Sequence, residues 1–137
     1  MTEKPRLVSL PTVTHPFGDL TFVEGERLLP FAIRRAYYIY GIPETAVRGG
    51  HASKTCEQLL IALAGGFQVK LESQLGAASR FRLQNPTEGL LVPRLHWVAI
   101  DAYEPGSICL VLASELYDES SYLRDYGEFR AWDRSGP

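Results

Sequence analysis

Short runs of alternating or continuous apolar residues, separated by Gly and Pro, occupy most of the chain. Residues 67–72 alternate Phe, Val and Leu with Gln, Lys and Glu, which is typical of a strand buried on one face. The predicted strands are residues 6–10, 20–24, 32–40, 47–54, 57–64, 67–72, 79–84, 89–92, 96–102 and 107–113. Short strands at such regular spacing predict an all-β barrel or sandwich. We expect one domain over residues 1–137, with a core from about 7 to 129.

A helical pattern is confined to the end of the chain. Tyr122, Tyr126 and Phe129 have i, i+4, i+7 spacing, which predicts one or two amphipathic turns over residues 122–129. The polar residues at 118–120 are suited to cap the start of this helix. We expect the tail, residues 133–137, to be frayed.

The charge balance and the cysteines limit the kind of ligand and the cellular compartment that we expect. The chain has 14 Lys and Arg against 16 Asp and Glu, a formal net charge of −2. This argues against a nucleic-acid binder with a broad basic surface, but not against a local basic pocket for a small anion. Cys56 and Cys109 lie in apolar runs, which indicates buried thiols in a reducing compartment. Since no leader-like apolar segment or membrane-length run is seen, we expect a cytoplasmic protein.

The segment 48–54, Arg-Gly-Gly-His-Ala-Ser-Lys, is the first candidate for chemistry. Residues two apart in a strand share a face, so His51 and Ser53 should point one way and Arg48 and Lys54 largely the other. The two glycines before His51 would let a ligand or another backbone approach closely. An imidazole beside such a gap could move protons near neutral pH. Alternatively, His51 is structural and the glycines only form a β-bulge.

A second candidate is the aromatic run Tyr-Tyr-Ile-Tyr at residues 37–40. Tyr37 shares strand parity with Arg35, whereas Tyr38 and Tyr40 face the other way. A phenol inside a barrel needs a hydrogen-bond partner, and it could donate or accept a proton. Alternatively, these aromatic rings simply fill a β core.

Several separated motifs resemble, in the same order, those of the nucleotide-sugar 3,4-ketoisomerases of the cupin superfamily. They are residues 18–20, 29–35, 37–40, 48–54, 57–60, 112–119, 122–126 and Phe129. The resemblance covers nearly the whole chain, and the C-terminal motifs are especially specific. It implies a small cupin or jelly-roll barrel, and a homodimer that exchanges N-terminal strands.

The resemblance also implies a reaction. The family's substrate is a dTDP-linked 4-keto-6-deoxyhexose, whose keto group moves from C4 to C3 through an enediol. No metal or redox cofactor takes part. The products enter pathways to 3-amino-3,6-dideoxysugars for surface polysaccharides or natural products.

The family motif Arg-Gly-x-His-Ala-His-Lys is similar to residues 48–54. Under this resemblance His51 is the base, and Tyr37 assists the proton shuttle from the neighbouring strand. Arg48 and Lys54 match basic positions that either hold the diphosphate or fix the strand.

Further substrate-binding candidates follow from the same resemblance. Arg35 matches a basic position before the tyrosines, on the same strand face as Tyr37. Trp97 falls at the family's tryptophan late in the barrel, where it either fills the core or walls the pocket.

Other positions depart from the family pattern. Ser53 replaces the second histidine of the motif. Its hydroxyl could bind and orient the substrate or a water, but it cannot serve as a base near neutral pH. Family members often have a histidine directly after the tryptophan. Here Val98 follows Trp97, and a histidine, His96, precedes it instead. Phe17 takes the place of an arginine that is common before the early glycine. Either His51 and Tyr37 suffice, or His96 substitutes spatially, or the protein has an altered reaction. The altered forms are a nucleotide-sugar-binding protein without catalysis and a 3,5-epimerase.

A metal-dependent cupin is a further alternative. Cupin metal sites use a His-x-His pair, a Glu a few residues on, and a later His. His51, Glu57 and His96 could occupy three of these positions, but Ser53 takes the place of the fourth ligand. Because serine is a poor ligand for transition metals, we expect no metal.

Overall fold

The computed structural model describes residues 3–134. Its strands are β1 (Arg6–Ser9), β2 (Thr12–Val13), β3 (Leu20–Thr21), β4 (Arg35–Ile39), β5 (Arg48–Ser53), β6 (Gln58–Ala64), β7 (Phe67–Ser73), β8 (Ala78–Leu83), β9 (Glu88–Val92), β10 (His96–Asp101), β11 (Ile108–Ala113) and β12 (Tyr122–Leu123). They form two five-stranded sheets, ordered β1-β9-β6-β11-β4 and β12-β5-β10-β7-β8, and a separate β2-β3 hairpin. All pairings given for the described strands are antiparallel.

The main core lies between the two sheets. Phe67, Val69 and Leu71 of β7 are at most 2% exposed and pack in one cluster with Leu60 of β6 and Val111 of β11. This is the inward half of the alternation that the sequence predicted for residues 67–72. Each such side chain contributes roughly 1.5–3 kcal/mol when it leaves water.

A second core covers the outer face of the first sheet. Leu59 and Ile61 of β6 pack there against Leu29 and Phe31 from the segment before β4. Because β6 is buried on both faces, its sequence is continuously apolar rather than alternating. The predicted strand 32–40 therefore starts only at Arg35, since the preceding residues cover the sheet instead of extending it.

The C-terminal helix differs from the prediction. α1 runs Tyr126–Ala131, with Asp125 as N-cap accepting from the Glu128 amide. The predicted start at Tyr122 is wrong, because Tyr122 and Leu123 form β12 on the edge of β5. A free strand edge offers backbone hydrogen bonds at the point where the helical pattern seemed to begin.

The all-β barrel with a short C-terminal helix is confirmed. Within residues 3–134, no helix has the length and apolar character needed to cross a bilayer. Of the residues expected to be frayed, 133–137, the last three, 135–137, lie outside the described part of the chain.

Candidate active site

A cavity of about 480 Å³ lies between β4, at the edge of one sheet, β5, near the edge of the other, and the segment after β11. Its lining is mostly basic and aromatic: Arg35, Tyr37, Arg48, Gly49, His51, Tyr117, Tyr122 and Arg124. Four of these, Arg35, Tyr37, Arg48 and His51, are candidates that the sequence predicted. The last three belong to a C-terminal segment that the sequence reasoning assigned no role.

A β-bulge in β5 explains why Arg48 lines the same cavity as His51. Val98 of β10 pairs with His51, but the next residue, Ala99, pairs with Gly49, so one residue of β5 is extra. Simple alternation placed Arg48 on the opposite face, and this expectation is wrong because the bulge shifts the parity. The cavity therefore has a cation and an imidazole three positions apart on one strand.

The bulge depends on glycine. Gly49 and Gly50 have φ of 99° and 72°, in the region that side chains rarely adopt. A Cβ on Gly49 would lie 2.4 Å from the carbonyl oxygen of Val98. The close approach anticipated for this pair is thus made by the backbone of β10, as the bulge alternative proposed.

The His51 side chain is a half-buried imidazole whose pKa is lowered. Burial lowers the pKa of its imidazole from the ordinary value of 6.5, a backbone hydrogen bond with Gly49 opposes this, and Arg124 lowers it further. The ring meets Tyr122 edge to face, with centroids 5.3 Å apart. Because the pKa lies below 6.5, the imidazole is largely uncharged near neutral pH and one ring nitrogen has a free lone pair.

Tyr37, unlike the His51 imidazole, has a raised pKa and keeps its proton. Burial raises the pKa of its phenol to about 12, so the hydroxyl keeps its proton near neutral pH. Gln58 on β6 donates from Nε2 to the Tyr37 oxygen over 3.1 Å. Because the phenol accepts this bond, its own proton remains available to a group in the cavity. Gln58 is a buried amide that the sequence reasoning did not single out.

Arg35 links the two walls of the cavity. Its Nη2 donates to the Tyr122 hydroxyl over 3.1 Å. Its guanidinium lies 5.3 Å from the ring centroid of Tyr37 and 5.6 Å from that of Tyr117. The predicted shared face of Arg35 and Tyr37 is therefore present, and the cation is held by aromatic rings.

Ser53 does not line the cavity. Its hydroxyl accepts the Cys56 amide over 2.9 Å and so stabilises the turn after β5. The residue that replaces the family's second histidine therefore has a structural contact of its own. The predicted role of Ser53 in orienting substrate or water has no support in this geometry.

Lys54 and Trp97, two further predicted substrate-binding residues, also lie outside the cavity lining. The ammonium of Lys54 donates to the Ser120 carbonyl over 2.8 Å and sits 4.4 Å from the ring centroid of Trp132. Trp97 packs against Tyr126 and Phe129 of α1.

His96 lines a different cavity, of about 360 Å³, and its Nδ1 lies 3.1 Å from the Arg94 carbonyl. The structure thus does not place His96 where it could substitute for the missing histidine. The three residues considered as metal ligands, His51, Glu57 and His96, line three different cavities. The geometry therefore does not support the metal-dependent alternative. No group of three or more His, Cys, Asp or Glu suited to a metal was found within residues 3–134.

The fold and the cavity define a small cupin-type barrel with a basic, aromatic site between the edges of its two sheets. A family model described as "FdtA: WxcM-like, C-terminal" matches residues 3–134, and the chain belongs to this family. A TDP-4-oxo-6-deoxy-α-D-glucose 3,4-oxoisomerase of Aneurinibacillus thermoaerophilus is 31% identical over 93% of this chain and 91% of its own length.

Solved structures agree with this assignment. A histidine-to-asparagine variant of the 3,4-ketoisomerase QdtA of Thermoanaerobacterium thermosaccharolyticum, in complex with TDP-4-keto-6-deoxyglucose, has a TM-score of 0.90 and 32% identity, covering 96% of this chain and 94% of that one. The TDP-quinovose 3,4-ketoisomerase WlaRB of Campylobacter jejuni has a TM-score of 0.90 and 31% identity, and the match covers 95% of this chain and 99% of that one. The resemblance to the 3,4-ketoisomerases is confirmed.

Proposed function

We propose that this protein is an isomerase that moves the keto group of a dTDP-4-keto-6-deoxyhexose from C4 to C3 without a cofactor. The observation that carries the proposal is the pairing, in one cavity, of a neutral imidazole at His51 with a protonated phenol at Tyr37. A keto shift needs one group that accepts a proton from carbon and another that serves the oxygens.

The steps balance with these two groups alone. His51 removes the C3 proton, the electrons form the C3–C4 double bond, and the C4 oxygen takes the phenolic proton of Tyr37. The resulting enediol then returns the O3 proton to the Tyr37 phenolate. As the C3 carbonyl forms, C4 takes the proton from the His51 imidazolium. Arg35 beside the Tyr37 ring, and the Gln58 amide on its oxygen, stabilise the transient phenolate.

The cavity's cations suit the nucleotide part of the substrate. Arg35, Arg48 and Arg124 all line it, and guanidinium groups bind phosphate oxygens through paired N–H donors. Of the two motif cations, Arg48 is therefore the one we assign to the diphosphate. Lys54 fixes the C-terminal segment instead.

A homodimer with exchanged N-terminal strands is supported by the β2-β3 hairpin. Among the described strands this hairpin pairs only with itself, and it exposes Val13, Phe17 and Leu20, with Phe17 95% exposed. Isolated two-stranded hairpins are marginal in water, so a second copy of the chain is a suitable cover. A monomeric mass by light scattering would contradict this.

A cytoplasmic setting is supported by the thiols. Cys56 and Cys109 are buried and unpaired, which suits a reducing compartment. A disulfide in protein isolated under thiol-blocking conditions would argue against this setting.

The main test follows deuterium. The protein is incubated with dTDP-4-keto-6-deoxyglucose in deuterated buffer, and NMR follows exchange at C3 and the appearance of the 3-keto sugar. Absence of both removes the isomerase proposal for this substrate. Because Ser53 replaces a family histidine, a nucleotide-sugar-binding protein without catalysis is the alternative. Calorimetric binding of dTDP without turnover would favour it.

A further inference from the structure

An ion pair with two hydrogen bonds lies beside the cavity mouth. Glu119 accepts from Nε and Nη2 of Arg124 over 2.7 and 3.0 Å, and it also accepts from the Tyr117 hydroxyl. These contacts lower the pKa of the Glu119 carboxyl to about 2, so it is ionised throughout the neutral range. Glu119 itself does not line the cavity, whereas Arg124 and Tyr117 do.

The pair determines where the Arg124 cation lies. With Nε and Nη2 held by Glu119, the guanidinium lies 5.1 Å from the ring centroid of Tyr122. The same ring packs edge-on against His51, and its hydroxyl accepts from Arg35. The orientation of Arg124 is thus tied to the wall that faces the base.

The backbone that carries Glu119 is itself anchored. Glu119–Ser121 forms a 3₁₀ turn whose N-cap, Asp118, accepts the Ser120 amide over 3.0 Å. Lys54, the residue after β5, donates from Nζ to the Ser120 carbonyl of this turn. Glu119 therefore acts from a fixed turn although its side chain is 56% exposed.

We propose that Glu119 is a positioning residue that holds the Arg124 guanidinium at the cavity mouth, where its remaining N–H donors bind the substrate's diphosphate. This rests on the proposed function, because it assigns the diphosphate to this cavity. Glu119 does not touch the substrate. It aligns the one cation of the site that comes from the C-terminal segment.

Whether removal of the Glu119 carboxylate tightens or weakens diphosphate binding distinguishes a positioning role from a purely electrostatic effect. Removing a carboxylate near a diphosphate should tighten binding if electrostatics alone decides, since one repulsion is lost. Loss of positioning should weaken binding instead, because Arg124 must then be ordered at the cost of its side-chain entropy. The two effects oppose each other in the same variant.

The experiment compares Glu119→Gln with Glu115→Gln in the full-length protein. Glu115 lies on the same segment and bonds the Thr55 hydroxyl, so its variant removes an equal charge without touching Arg124. Calorimetry measures dTDP binding, and steady-state assays measure kcat and KM. We expect Glu119→Gln to weaken dTDP binding and raise KM by about fivefold, with kcat within about twofold. Glu115→Gln should match the wild type.

Unchanged or tighter dTDP binding in Glu119→Gln overturns the positioning role, while isomerase activity in the same sample leaves the proposed function intact. A second readout needs no ligand. NMR titration of His51 should give a lower pKa in Glu119→Gln than in the wild type, since the carboxylate that favours the imidazolium is gone. An unchanged His51 pKa would also overturn the inference, because the ion pair would then not lie beside the base.

Discussion

The two walls of the cavity are built differently. Arg35, Tyr37, Arg48 and His51 stand on strands hydrogen-bonded within the sheets, with β5 held between β12 and β10. The opposite wall, residues 117–124, contains only a 3₁₀ turn and the two-residue β12, and Tyr117 is 62% exposed. We shall call these the strand wall and the segment wall.

The two walls suit different steps, proton transfer and phosphate binding, which need different precision of placement. Proton transfer to carbon requires groups held to within a fraction of an ångström, which strands provide and surface segments do not. Phosphate binding needs less precise placement, and side-chain contacts such as that of Glu119 with Arg124 can supply the order it requires. We therefore assign catalysis to His51 and Tyr37 of the strand wall, and expect substitutions of these two residues to act mainly on kcat. Substitutions in the segment wall should act mainly on KM.

The largest expected effect is on His51. His51→Asn removes the base while keeping a polar side chain of similar size, so C3 exchange and turnover should fall by about 10³-fold. His15→Asn, in the exposed turn of the β2-β3 hairpin and outside the cavity lining, is the matched control. Deuterium exchange at C3, followed by NMR, measures both. Exchange retained in His51→Asn would remove His51 as the base.

Tyr37→Phe should reduce kcat by roughly 100-fold, because the oxygens of the enediol lose their proton donor while the ring and its packing remain. KM should change little. Tyr38→Phe, which alters a hydroxyl on the exposed side of the same strand, should leave both constants unchanged. If the two variants have equal kcat, the strand wall does not use the Tyr37 hydroxyl.

The pH dependence should report the base of the strand wall. His51 must be unprotonated to act, and its pKa lies below 6.5, so kcat/KM should hold near its maximum down to about that pH. Below the lowered pKa it should fall by about tenfold per pH unit. Assays of kcat/KM from neutral to acidic pH measure this limb. A decline that begins well above 6.5 would contradict the assignment.

The smallest effect on activity should come from Ser53. Ser53→Ala loses the acceptor of the Cys56 amide, so the free energy of unfolding should fall by about 1 kcal/mol while kcat changes by less than about threefold. Ser53→Thr keeps the hydroxyl and serves as control. Denaturant titration and the turnover assay separate the two quantities. A tenfold loss of kcat in Ser53→Ala alone would give this hydroxyl a role in the reaction.

Part of the site could be predicted from the chain because it depends on local spacing. Arg35 and Tyr37 share a face in any regular strand, and the structure places both in the cavity. His51 was found through its neighbouring glycines. Arg48 was misplaced because the alternation rule fails where Gly49 meets the backbone of Val98. That contact involves another strand and leaves no periodic signal.

The segment wall could not be found in this way. Tyr122 and Tyr126 have helical spacing, yet only Tyr126 lies in α1, because Tyr122 meets the free edge of β5. Arg124 is one charged residue among many until that pairing brings it to the cavity. The exposed Tyr117 and Arg124 gave no pattern that local rules could interpret.

The sequence by itself determined the all-β class, most of its strands, and the base and phenol that we propose for catalysis. The strands follow from periodicity, which acts over a few neighbouring positions, whereas the roles of His51 and Tyr37 came from the resemblance of their motifs to those of the 3,4-ketoisomerases. Only the tertiary structure decided that Arg48 joins His51, that residues 117–124 close the cavity, and that Lys54, His96 and Trp97 lie outside it. Those outcomes depend on strand register and edge pairing between distant parts of the chain, where backbone geometry rather than local pattern decides.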